Sequence, residues 1–332
     1  MAKIKDIADM TGFSITTISR VLNQDETFNV SEETRHQIIS AAEKLNYVPL
    51  RKRQGQKEQK NKANPTIGLA YWYSTANEIT DPYYLSIRLA IESYCESHNI
   101  SLKLFYLPET GYHDLDVSDL EGLIALGKYS ENEIKLLSSL TPHFVLVDCY
   151  AKDKGIDVVM VDLKEATKDI IEHFQSIGIS ELGFIGGIEG TLDGTTLQDI
   201  RLKTFAKHEI ANEDTIHLGA FNTETGYEIM TNIIKVGNLQ KGYIVASDAI
   251  AIGCLKALNE NNIKVPEEVS LISYNNISLA QFTIPALTTI DLNTNHIGTT
   301  AMETLMERIK SDREIGKKIF IPTELIKRES CL

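Results

Sequence analysis

Hydrophobic positions at the start of the chain recur with the period of two short helices and then break. Ile4, Ile7 and Ala8 fall at i, i+3 and i+4, which puts an apolar stripe on a first helix, and Gly12 offers the positive φ that a tight turn after it needs. Ser14 is placed to cap a second helix. Its buried face is Ile18, Val21 and Leu22, so that Ile15, Thr16, Thr17, Ser19 and Arg20 lie on the outer face. A third helix is expected from Ser31, a good N-cap followed by Glu32 and Glu33 at the positive end of the helix dipole, with Ile38, Ala42 and Leu45 at helical spacing. Three such helices are about the minimum that closes a small core.

After Pro65 the period changes. Apolar runs at Thr66-Ile-Gly-Leu-Ala-Tyr-Trp72, Ile100-Ser-Leu-Lys-Leu-Phe-Tyr106, Gly122-Leu-Ile-Ala-Leu126 and Phe144-Val-Leu-Val-Asp148 alternate with helical stretches, the signature of a parallel sheet covered on both faces. The alternation then repeats with Val158-Val-Met-Val-Asp162, Leu182-Gly-Phe-Ile-Gly-Gly187, Thr215-Ile-His-Leu-Gly219, Tyr243-Ile-Val-Ala-Ser247 and Val269-Ser-Leu-Ile-Ser273, read as a second sheet. Its helices are expected near 164–176, 197–209, 224–235 and 250–262. The predicted fold class is α/β: a helix-turn-helix headpiece followed by two doubly wound parallel-sheet subdomains. A cleft between them would open at the carboxyl ends of their strands, where ligands bind in such sheets.

Length and composition agree. The chain has 332 residues, 42% of them hydrophobic, enough for a headpiece and two ordinary cores. No long apolar run and no charged-then-apolar leader appear, so neither a membrane span nor secretion is expected. Cys95, Cys149, Cys254 and Cys331 are widely spaced and read as reduced thiols of a cytoplasmic protein. The net charge of −13 is unevenly spread: residues 1–62 carry 11 Lys and Arg against 8 Asp and Glu, and the remainder 22 against 38. A basic start is drawn to phosphate while an acidic body is repelled by it.

Catalytic and metal signatures are missing. Gly186-Gly-Ile-Glu-Gly190 lacks both the P-loop Lys-Ser/Thr and the spacing of a dinucleotide fingerprint, and reads as a tight strand-to-helix turn. There is no Gly-x-Ser-x-Gly elbow, and the eight histidines show no metal-ligand spacing. No enzyme activity, cofactor or metal is therefore expected. The outer face of the second helix instead suits a major groove: Arg20 can bond both O6 and N7 of a guanine, Thr16 a base edge, and Ile15 a thymine methyl. The same helical geometry also occurs in purely structural hairpins. Arg51, Lys52, Arg53, Lys57, Lys60 and Lys62 sit in a Gln-rich stretch that reads as a linker when free and a phosphate-contacting segment when bound.

Ile18-Ser-Arg-Val-Leu-Asn23, Val30-Ser-Glu-Glu-Thr-Arg35 and Ala41-Ala-Glu-Lys-Leu-Asn-Tyr-Val-Pro49 resemble the headpiece of the LacI/GalR repressor family. Val245-Ala-Ser-Asp-Ala-Ile-Ala-Ile-Gly253, Val269-Ser-Leu-Ile-Ser-Tyr-Asn-Asn276 and Ile284-Pro-Ala-Leu-Thr-Thr-Ile290 are similar to its core. Asp81-Pro-Tyr-Tyr-Leu-Ser-Ile-Arg88 and Gly183-Phe-Ile-Gly-Gly187 look most like repressors of galactose and β-galactosidase operons, the evolved-β-galactosidase type in particular.

The resemblance implies a headpiece at 1–49, a basic hinge at 50–64, and a periplasmic-binding-protein-like effector-binding and dimerisation core at 65–332. Subdomain one would take about 65–158 and 291–318, and subdomain two about 159–290 and 319–332. It also implies DNA contacts at Ser14, Ile15, Thr16, Thr17, Arg20, Asn23, Ser31, Tyr47, Arg51 and Arg53. Effector contacts would come from Asp148, Arg201, Phe221, Asp248 and Asn275, since carboxylates and a guanidinium pair with sugar hydroxyls and an aromatic face stacks on a pyranose. The alternative for Asp148 and Asp248 is a helix-capping role with Arg201 as ion-pair partner. Trp72, Tyr73 and Asp81-Pro-Tyr83-Tyr84 either line the other wall or pack a subdomain interface or dimer seam. Many family members wedge a hinge-helix leucine into the minor groove. Gln56 stands at that position here, next to Gly55, so less operator bending is expected. The implied protein is a cytoplasmic homodimeric repressor that binds double-stranded operator DNA and is released by galactose or a β-galactoside. The alternative is a catabolite-control regulator of the same family that answers to a phosphorylated carrier protein.

Overall fold

The computed structural model describes residues 4–22, 28, 30–45, 65–74, 78, 80–107, 111–112, 115–311 and 313–332. Asn23, Tyr47, Arg51, Arg53 and Gln56 lie outside them, as does the whole segment 50–64. The chain divides into two units, residues 1–64 and 65–332.

The first unit holds α1 (Ile4–Thr11), α2 (Ile15–Leu22) and α3 (Glu32–Lys44). Gly12 ends α1 at φ +76°, its N–H donating to Ala8 O at 2.8 Å. The Ser14 hydroxyl accepts from the Thr17 N–H at 3.1 Å and the Ser31 hydroxyl from the Thr34 N–H at 3.2 Å, so both expected caps form. Ile7, Ile18, Val21, Ile38, Ala41 and Ala42 make the core, with Ile4, Ala8, Phe13, Phe28 and Leu45 packed around it.

The second unit runs β1 (Thr66–Tyr71), α4 (Tyr83–His98), β2 (Ser101–Tyr106), β3 (Gly122–Leu126), α5 (Glu131–Ser139), β4 (Phe144–Val147) and β5 (Asp157–Val161). There follow α6 (Leu163–Ser176), β6 (Leu182–Gly187), the short pair β7 (Glu189–Gly190) and β8 (Thr196–Leu197), α7 (Ile200–Ala206), β9 (Ile216–Gly219) and α8 (Thr223–Val236). The remainder is β10 (Gly242–Val245), α9 (Asp248–Glu260), β11 (Ser270–Tyr274), β12 (Thr288–Asp291), α10 (Thr294–Lys310), β13 (Lys318–Ile321) and β14 (Glu324–Ile326). Two six-stranded sheets result, ordered β13-β5-β4-β3-β1-β2 and β14-β12-β11-β10-β6-β9. All their pairings are parallel except β12 with β14. The inner strands are almost wholly buried, as sheets covered by helices on both faces require, while the edge strands β2, β9, β13 and β14 are partly exposed.

Two assignments made from the pattern need correction. The strand at Val158 belongs to the first sheet, paired with β4 and β13, and residues 319–321 lie in that sheet too. The physical anchor is Asp157, fully buried at the start of β5. It accepts from Arg308 at 3.1 Å on α10 and from Arg313 at 2.9 and 3.1 Å just beyond, which ties β5 to the segment leading into β13. The chain therefore changes sheets after β5, between β12 and α10, and between β13 and β14. The Gly186–Gly190 run is likewise no tight turn into a helix. It leads into the β7–β8 hairpin, and α7 starts only at Ile200.

Candidate functional site

A cleft lies where the carboxyl ends of both sheets face each other. The end of β1 leads to Tyr73, β3 to Lys128, β4 to Asp148, the β7 strand supplies Glu189, β9 leads to Phe221, β10 to Ser247 and β11 to Asn275. Asp81, Tyr83 and Tyr84 at the start of α4, Leu163, Leu292 and Arg201 on α7 complete the lining. The walls are nearly closed on one another and enclose about 30 Å³, room for no more than a couple of waters.

Arg201 is held in an extended grip and is only 6% exposed. Its Nε donates to both oxygens of Asp199 at 2.9 and 3.0 Å, and Nη2 reaches Asp199 Oδ2 at 2.8 Å. Nη1 donates to Ala246 O at 2.5 Å, while the guanidinium lies 5.3 Å from the Phe221 ring centre and 5.4 Å from that of Tyr274. Burial opposes the charge on Asp199, but the adjacent guanidinium outweighs it and holds the carboxyl below its ordinary value. Hydrogens on Nη1 and Nη2 stay uncommitted to these partners. Gly187 makes the place for Phe221: a Cβ there would stand 2.1 Å from the ring.

Across the cleft, Asp148 Oδ2 accepts from the Tyr84 hydroxyl at 2.7 Å and from Lys128 Nζ at 3.0 Å, with the backbone at φ +59°. Burial works against the Lys128 ammonium, yet the Asp148 and Glu189 charges hold its pKa above the ordinary lysine range. Asp81 caps the Tyr83 N–H at 3.2 Å and accepts from Asn275 Nδ2 at 3.5 Å, a contact between the two sheets' subdomains. Burial pushes the Asp81 carboxyl up. Trp72 stacks on Tyr73 at 5.2 Å and meets Tyr84 edge-on at 5.6 Å, so Tyr73 and Tyr84 line the wall and Trp72 packs against them.

The hairpin bridges the cleft mouth. At its tip, Asp193 Oδ2 accepts from the Ser130 hydroxyl and its N–H donates to Glu133 Oε1 at 3.0 Å, both from the first turn of α5 in the other subdomain. The Ser130 hydrogen bond, with others from Thr191 and Thr195, holds the Asp193 carboxyl far below its ordinary value.

Of the expected effector residues, Tyr73, Tyr83, Asp148, Arg201, Phe221 and Asn275 line the cleft together. Asp248 does not. It is fully buried inside subdomain two, where its oxygens accept from Thr289 at 2.7 Å, from the Ile277 N–H at 2.8 Å and from Ser273, and the cleft-facing place is taken by Ser247, the cap of α9. Burial raises the Asp248 pKa to about 6 despite these donors. Lys128, Glu189 and Asp199 were not anticipated. Lys128 follows a strand end just as Asp148 does, and that rule finds it. Nothing local marks Glu189.

In the first unit, the outer face of α2 presents Ile15, 48% exposed, with Thr16 and Arg20 also exposed and Thr17 half-buried. The Arg20 guanidinium lies 5.1 Å from the Phe28 ring centre. Ser14 and Ser31 are exposed caps.

Comparison with known proteins decides what this pair of units is. Residues 3–49 match the signature of "Bacterial regulatory proteins, lacI family", and 171–331 that of a periplasmic binding protein-like domain. The chain is 38% identical to the transcriptional regulator GalR of Lacticaseibacillus casei over the full length of both. The chain belongs to the LacI family. It is thus a DNA-binding transcriptional regulator, like its relatives GanR of Bacillus subtilis, 35% identical over 99% of each chain, and the repressor MelR of the same organism, 33% identical over 100% of this chain and 98% of that one. The Lac repressor dimer bound to operator and the anti-inducer ONPF shares the fold, with a TM-score of 0.72 at 21% identity over 100% of this chain and 99% of that one. A LacI-family architecture accounts for the sheet order, the cleft and the separate three-helix unit.

Proposed function

We propose that this LacI-family regulator represses its operon by binding double-stranded operator DNA as a homodimer in the cytoplasm and is released by galactose or a galactoside. The observation that carries the effector half is Arg201, buried, oriented by Asp199 and facing an aromatic ring and carboxylates across a cleft, a set of groups matched to a polyol with an apolar face. Full-length relatives named GalR, MelR and GanR support a sugar of this kind. If all are ionised, four carboxylates (Asp81, Asp148, Glu189, Asp199) stand against two cations around the cleft, which suits an uncharged ligand.

For DNA, Ile15, Thr16 and Arg20 read bases while Ser14, Thr17 and Ser31 position the helix on phosphate. Asn23, Tyr47, Arg51 and Arg53 extend that contact. The exposed Leu279, Phe282 and Ile284, at 60%, 74% and 85%, offer an apolar surface for self-association. No helix among the described residues is long and apolar enough to cross a membrane.

The test is an anisotropy titration of the purified chain on a fluorescent fragment of its own upstream region, with galactose, lactose and a phosphorylated carrier protein as additions. Release by a sugar is the expected result. Tightening by the carrier protein, with no response to sugars, would replace this reading by the catabolite-control one.

A further inference from the structure

Every charged side chain lining the cleft has a partner among the described residues, with one exception. Asp148 is taken by Tyr84 and Lys128, Asp81 by Tyr83 and Asn275, and Arg201 by Asp199 and Ala246. Among the described residues, no hydrogen bond or ion pair reaches the Glu189 carboxylate. An unpaired carboxylate half-buried in the lining of a narrow cleft is costly, and it is tolerated where a ligand supplies the missing donors.

We propose, building on the sugar-release reading, that Glu189 is the residue that selects the effector: it accepts hydrogen bonds from two adjacent hydroxyls of an uncharged sugar. A carboxylate has two oxygens spaced to take a vicinal pair, and hydrogen bonds to a charged acceptor are roughly twice as strong as neutral ones. Arg201 and Lys128 contribute favourable fields to Glu189 without contacting it, so it need not give up a partner to bind the ligand. Burial pushes its carboxyl up, the expected result of missing donors. A phosphorylated sugar would bring its charge beside this carboxylate and Asp148, which disfavours it.

Placement adds a consequence. The backbone of Glu189 pairs with Leu197 in the hairpin whose tip is bound to Ser130 and Glu133 of the other subdomain. A sugar held by Glu189 is therefore held at the joint between subdomains.

Isothermal titration of the full-length chain tests this with D-galactose, lactose, galactose 6-phosphate and the monodeoxygalactoses, on the parent and on Glu189→Gln. The parent should prefer the uncharged sugar over its 6-phosphate by at least about tenfold, and Glu189→Gln should weaken uncharged-sugar binding about 10- to 100-fold, the loss of charge-assisted bonds. With the deoxy sugar lacking a contacted hydroxyl, the two proteins should differ much less, a coupling that a purely structural role would not produce. Thermal melts without sugar should place Glu189→Gln at or above the parent, since an unpaired, half-buried charge is removed. Equal affinities of parent and variant for every sugar would overturn the Glu189 assignment alone, as would equal losses across all deoxy sugars or a variant that melts lower. A parent that binds none of these sugars would overturn this proposal and the sugar reading together.

Discussion

Arg201→Ala is the perturbation on which structure and function make distinguishable demands. The guanidinium gives Asp199 a bifurcated bond from Nε and an ion pair from Nη2, and donates from Nη1 to Ala246 O, and the two side chains are 8% and 5% exposed. Removing one partner of such a pair strands the other charge, a loss of about 3–5 kcal/mol. Asp199→Asn keeps the cap on the Arg201 N–H but removes that charge, so the double variant should recover about 1–3 kcal/mol of the loss.

The pH dependence follows from the same pair. In the parent, Arg201 outweighs burial and holds Asp199 below its ordinary value, so the stabilisation is present above the ordinary carboxylate range and is lost as pH falls through the lowered value. Without Arg201, burial acts alone, and the orphan carboxylate is relieved by protonation. The stability gap between parent and Arg201→Ala should therefore narrow on acidification. Urea unfolding read by Trp72, the chain's single tryptophan, reports the 65–332 unit by itself. Both variants should stay on operator at sugar concentrations that release the parent. Equal stability of the single and double variants, with no pH-dependent gap, would refute the reasoning about a buried stranded charge.

Asp248→Asn should flatten the acid side of the stability curve: a carboxyl raised to about 6 contributes stability below its unfolded value that is lost as pH rises through about 6, so the parent weakens between about pH 4 and 6 and the variant does not, as urea melts at several pH values would record. Arg20→Ala should cost about 1–3 kcal/mol of discrimination at one guanine per half-site, seen by anisotropy on operator against single-base variants; equal weakening on specific and random DNA would show that α2 does not read bases. Asp193→Ala removes the hairpin's tie through Ser130 and, at about 1 kcal/mol per bond, should speed sugar association about fivefold in stopped-flow traces of Trp72, whereas an unchanged rate would mean that the hairpin does not gate entry.

What could be read from the chain follows the range of each interaction. Ser14 and Ser31 were legible as caps because the bond they make is three residues away, and Gly12 because its turn is local. The family resemblance pointed to Asp148, Phe221 and Asn275, and the structure sets each just past a strand's carboxyl end in the cleft lining. The Val158 strand was misplaced because four apolar residues say that a strand is buried but not beside which neighbour; that depends on Asp157 meeting Arg308 and Arg313 from more than 150 residues away. Asp248 was misread by one position, since Ser247 takes the cap and turns the next side chain inward. Glu189 was hidden because a glycine-rich run was read as a turn, while the chain builds a hairpin there.

The closed cleft bears on how release works. Contacts between subdomains at Asp193 with Ser130 and Glu133, and at Asn275 with Asp81, already hold the walls together around about 30 Å³, far too little for a hexose. A sugar must therefore part the walls to enter, and its affinity is reduced by whatever that opening costs. The same sugar then offers Arg201 and the cleft carboxylates new partners, so it favours whichever subdomain orientation lets both walls reach it. An effector that bound both orientations equally would shift nothing, however tightly it bound. The contacts across the cleft thus fix the resting orientation, and the residues that differ in their reach to the sugar between the two orientations set the strength of the response.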